Sequence, residues 1–187
     1  MELTEEKIIQ AKKYNTKLYP FYKMFAWDLL FYYSIIFLFL TQNKGFTASN
    51  VLFIDSFYPF FKLVLQIRCV NIVETFGKRK SLIFGNLLIS TCILVVILAK
   101  EIPAMIFSNF LMAFGYSIKS LCESSLLSDC VTDNKHPRTV FSNIDGKGSA
   151  FWFYLDAITA ASCGFLYVVN NYLPMILCLV ACIISCL

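Results

Sequence analysis

A chain of 187 residues in which 58% are hydrophobic and only 15% charged departs from soluble globular domains, which are about half apolar and about a quarter charged. With a positive mean hydropathy, that composition identifies a membrane protein and excludes an ordinary soluble domain. The formal net charge of +4 comes from bases gathered in a few polar stretches, so it is not read as nucleic-acid affinity.

Residues 1–23 are polar and lack an apolar core followed by a small-residue cleavage site, so no removable signal peptide is expected there. A hydrocarbon layer about 30 Å thick needs about 20 helical residues at about 1.5 Å each. Six apolar runs approach that length: Met24–Thr41, Ser49–Val70, Leu82–Ala99, Ile102–Leu121, Ser149–Val169 and Tyr172–Leu187. The expected fold is therefore an all-α bundle of six transmembrane helices. The runs lack the polar and apolar alternation of a β-barrel.

Short polar breaks separate the runs, including QNKGFTA, NIVETFGKRKS and NN; the longest is SDCVTDNKHPRTVFSNIDGKG, read as a loop. Lysine and arginine in such breaks set orientation. Lys7, Lys12, Lys13, Lys17 and Lys23 precede the first span, Lys78, Arg79 and Lys80 follow the second, and Lys135, Arg138 and Lys147 follow the fourth. The opposite side offers only Lys44 and Lys100. The N-terminus is expected in the cytoplasm, in a multi-pass protein of the cell membrane.

Charges within the runs are the candidate functional residues, because each costs about 2.5–3.5 kcal/mol at a helix centre and belongs in a bundle interior or a wet cavity. They are Asp28, Asp55, Lys62, Lys119 and Asp156. Asp28 and Lys119 stand near the cytoplasmic ends of their spans, where anchoring at the interface competes with a functional role. Lys119 and Glu123 are spaced for a local ion pair on one helix face. Asp55 and Lys62 lie about two turns apart, with Pro59 between them. The proline frees the carbonyl of Asp55 from its helical bond, which suits a cation or proton site as well as it suits a plain kink. Asp156 lies roughly 12 Å inside the fifth span. Asp55 or Asp156 is the expected coupling acid.

Trp152 and Tyr154, with Trp27 and Tyr22, read as an aromatic belt at the interface, while substrate stacking stays open for Tyr32 or Tyr33, deeper in the first span. Ala157, Ala160, Ala161 and Gly164 form a small-residue stripe suited to close helix packing.

The turn NIVETFGKRKS resembles the loop between the second and third helices of the major facilitator superfamily. Glu74 falls on that motif's acidic residue, Gly77 on its turn glycine, and Lys78 and Arg79 on its basic pair; Val70 and Thr75 depart from it. ESSLLSD, ending in Asp129, is similar to the acidic end of the fourth helix in bacterial drug-exporter-like members, and bases on a short loop can hold such acids. The resemblance implies the N-terminal half of a twelve-helix fold. It implies a secondary transporter that moves a small solute by alternating access, with H+ as a possible coupling ion and with a C-terminal six-helix half or second membrane subunit as partner, in lipid. The alternative is a non-transporting, degenerate protein that acts through a membrane partner.

Eight cysteines carry no Cys-x-x-Cys with histidine partners, so no metal is expected; Cys178, Cys182 and Cys186 form a packing stripe. His136 reads as a solvated loop residue. With no phosphate loop, serine elbow or metal-binding His-Glu motif, neither an enzyme nor a cofactor is expected.

Overall fold

The computed structural model describes residues 5–131 and 137–185, so Cys186 and His136 lie outside the described residues. Within them, all regular structure is helical: α1 (Glu5–Ala26), α2 (Tyr32–Leu38), a π-helical turn (Phe39–Asn43), α3 (Ala48–Phe76), α4 (Lys78–Leu98), α5 (Ile102–Cys130), α6 (Pro137–Val169) and α7 (Leu173–Ile184). Four of these helices, α3, α4, α5 and α6, are long and apolar enough to cross a membrane, which fits a multi-pass membrane protein.

Local chemistry sets the ends. Thr47 Oγ1 accepts the amide of Asn50 at 3.3 Å and caps α3. Proline stands in the first turn of both α5 and α7, where its missing N–H is harmless. Between α3 and α4 the chain reverses on Gly77 alone, at φ 82° and ψ 148°, a conformation that side chains with a Cβ avoid.

Two expected spans are altered. The first does not form one helix: α1 occupies the polar stretch expected ahead of the span and shares only residues 24–26 with it, Phe31 takes the left-handed conformation at φ 66°, and α2 begins at Tyr32. The cause lies in the gap, where Asp28 Oδ1 accepts the amide of Leu29 at 2.8 Å and the hydroxyl of Tyr116 on α5. A short carboxylate that bonds its own backbone offers the chain an alternative to the helix. The sixth span is a helix of 12 residues. A further correction concerns the long loop, because α5 continues to Cys130 and α6 begins at Pro137, so most of that polar stretch is helical.

The bundle is organised on α5. Of its most apolar stretch 61% is buried, against 11% for both α3 and α6, so α5 is the core helix and the other two present apolar faces outward. It packs on α3 and α4, while α1 and α2 pack on α6 and α7, α4 on α7, α3 on α4 and α6 on α7; α1 also touches α5. With α1 and α2 counted as one segment, this pattern maps onto itself when the first three segments are exchanged with the last three. The exception is a touch of α3 on the π-helical turn.

The α4–α5 seam closes on two glycines. A Cβ on Gly115 would stand 2.8 Å from the carbonyl oxygen of Gly85 and 2.7 Å from Ile89 Cγ1, so the absence of side chains is what lets these helices meet. Between α3 and α5, buried Asn109 donates from Nδ2 to the carbonyl of Ile54 at 2.8 Å, one residue before the carbonyl that Pro59 frees. Cys178 and Cys182 are buried against the core, as a packing stripe requires. The stripe on α6 differs: Ala157, Ala160 and Ala161 are exposed and nothing stands within 4 Å of a Cβ on Gly164.

Candidate functional site

Helical spacing collects one polar face on α5. Tyr116, Lys119, Ser120 and Glu123 follow at three- and four-residue steps, which places them together on one side of the helix. Opposite stand Tyr58 and Lys62, one turn apart on α3, with Tyr33 from α2 and Trp27 and Asp28 from the break after α1. They enclose a cavity of about 210 Å³. Without the break, Asp28 would remain in a continuous helix; unwinding presents its carboxylate to α5.

The polar groups are linked in series. Asp28 accepts the Tyr116 hydroxyl, and Lys119 Nζ lies 5.4 Å from the centre of the Tyr116 ring. Lys119 Nζ is also 4.0 Å from Glu123 Oε1, which in turn accepts the Tyr22 hydroxyl at 3.1 Å. Lys119 and Glu123 are both buried, so the ion pair is not an exposed anchor, and each charge offsets part of the other's loss of water. On the other wall, Lys62 Nζ stands 5.7 Å from the Tyr58 ring centre, a cation–π contact. The cavity therefore offers two carboxylates, two ammonium groups and aromatic faces to one small molecule.

A second cavity of about 390 Å³ lies toward the α3–α4 turn, between α1, α4 and α5, and Tyr19, Tyr22, Arg79 and Glu123 line it. Glu123 belongs to the walls of both.

Of the residues singled out in the sequence, Asp28, Lys62, Lys119 and Glu123 meet in the first cavity. Asp55 and Asp156 do not line it: Asp55 is exposed on α3 and Asp156 half-buried on α6. Tyr32 is only 6% exposed, sits in the core, and meets Tyr33 edge to face at 5.4 Å; Tyr33 is the one on the cavity wall. Around the turn, Glu74 and Arg79 are exposed, and Lys78 Nζ bonds Asp129 at the end of α5, which ties the α3–α4 reversal to α5.

Some side chains in and around the cavity are not legible in the sequence. Tyr58, Tyr116 and Ser120 read as ordinary membrane aromatics and a small polar residue, although their one-turn spacing from Lys62, Lys119 and Glu123 is visible there. Lys23 reads as one more cytoplasmic anchor, yet it is 5% exposed. It pairs with Asp145 of α6 at 2.5 Å, lies 4.8 Å from the Trp27 ring centre and rests its stem on Gly148.

No protein-family model and no curated protein matches this chain.

Proposed function

We propose that this chain is a six-span half of a secondary transporter of the major facilitator type, which moves a small solute across the cell membrane by alternating access with its N-terminus in the cytoplasm. The helix pairing carries the reading. A pattern that survives exchange of the first three segments with the last three is what nested three-helix repeats produce. The broken α1–α2 segment and short α7 then count as the first and sixth spans. The Lys78–Asp129 bond, between the basic turn and the acidic end of α5, supports the same assignment.

The cavity between α1, α2, α3 and α5 is the solute site of this half, with Asp28 and Glu123 as its carboxylates, while Asp55 or Asp156, outside it, is the coupling acid. Asp55 and Lys62 are exposed on α3, and charges at such depth belong against protein or water rather than lipid. That face accordingly receives the second six-helix half or subunit.

A Ser120→Cys variant tests the reading without knowledge of the solute. Membrane-impermeant maleimide applied in turn to the two faces of sealed vesicles labels this cavity-wall position from both sides if access alternates. Labelling from one side alone, across all conditions, would contradict the proposal and favour a non-transporting membrane protein.

A further inference from the structure

Outside the polar cavity, a groove of about 350 Å³ opens on the surface of the bundle where α3 meets α4. Its walls are Ile72, Phe76, Phe84 and Phe114, with Lys80 and Ser81 at one end. Phe76 and Phe84 are 65% and 44% exposed, so the groove communicates with whatever surrounds the bundle.

Ser81 is the telling residue. Elsewhere in these helices the hydroxyls of Ser56, Ser108, Ser117, Ser149 and Ser162 return to carbonyls three or four residues back, which satisfies them without a partner. The Ser81 hydroxyl is buried, and among the described residues it has none. Four residues back stands Gly77, outside the helix, whose carbonyl accepts the Ser81 amide at 3.1 Å but not the Ser81 hydroxyl. A buried hydroxyl left without a bond is costly unless an acceptor arrives.

The surroundings specify that acceptor. The N-terminus of α4 has no side-chain cap, so its first amides and the positive end of the helix favour an anion. Of the three bases there, Lys78 is held by Asp129 and Arg79 faces the second cavity. Lys80 is exposed and has no ion pair among the described residues.

We propose that this groove holds an anionic phospholipid of the cytoplasmic leaflet, with an acyl chain between Ile72, Phe76, Phe84 and Phe114 and the phosphate against Lys80, the Ser81 hydroxyl and the first amides of α4. Charge complementarity selects the occupant, since that leaflet carries the anionic lipids and basic pockets between helices retain their headgroups. The placement rests on the orientation proposed above, but its test requires neither transport nor orientation.

The full chain in mild detergent is titrated with phosphatidylglycerol and, separately, with phosphatidylcholine of the same acyl chains, and bound lipid is read by native mass spectrometry. Phosphatidylglycerol is retained more tightly, Lys80→Gln weakens it about fivefold, Ser81→Ala also weakens it, and Ser81→Thr and Lys100→Gln leave it unchanged. Equal retention of the two lipids, or a preference that survives both Lys80→Gln and Ser81→Ala, overturns the proposal. Displacement of the lipid by millimolar inorganic phosphate alone also overturns it, because the acyl chain would then contribute nothing.

Discussion

Replacing Gly115 by alanine adds one methyl group where α4 and α5 are closest. The new Cβ would stand 2.8 Å from the Gly85 carbonyl oxygen and 3.3 Å from the Ile89 amide nitrogen, whereas ordinary contact begins at 3.4 Å. The helices must therefore separate by roughly half an ångström along a seam that also buries Ile89, Cys92 and Ile93, and such overpacking costs about 1–3 kcal/mol. Alanine also favours the helix over glycine by about 0.5–1 kcal/mol, which would blur a single measurement. Gly146 on α6 supplies the control, because nothing lies within 4 Å of the position its added methyl would take, so Gly146→Ala collects the propensity gain alone. The difference between the variants isolates the packing cost. At about 2–4 °C per kcal/mol for a chain of this size, Gly115→Ala unfolds roughly 2–12 °C below Gly146→Ala when circular dichroism follows melting in detergent. Equal melting temperatures for the two variants would refute the close approach of α4 and α5.

Gly77→Ala, at φ 82° and ψ 148°, is expected to lose about 1–3 kcal/mol in the same assay, although no neighbour lies within 4 Å of the added Cβ. The Lys23–Asp145 pair is asymmetric, with side chains 6% and 36% exposed. Asp145→Ala strands a buried ammonium and should cost up to about 3–5 kcal/mol, whereas Lys23→Met leaves a carboxylate that water can reach and costs less; thermal melts of both variants check the order. For Lys78 and Asp129, with side chains 39% and 57% exposed, a double-mutant cycle should return a coupling of only about 0.2–1 kcal/mol. A larger value would mean that the turn is held far more rigidly than a surface pair allows.

The amino-acid sequence by itself determined the helical class and the positions of most helices, because uninterrupted apolar length and polar breaks are local properties that any lipid-facing helix must satisfy. It also marked Gly77 as the reversal point, Lys119 with Glu123 as a same-face pair, and the intramembrane charges as the residues to follow. The break at Asp28 was not legible, because Met24–Thr41 is apolar enough to read as one helix, and the carboxylate that bonds the Leu29 amide within it is also held by Tyr116, 88 positions away in the chain. For the same reason the sequence could rank Asp55 and Asp156 by depth, but not tell that Asp28 shares a cavity with Lys62 and Lys119 while they do not. Depth follows from counting residues along one helix. Which face meets which partner is decided only when α1, α3 and α5 pack, so the tertiary structure alone assembled the site.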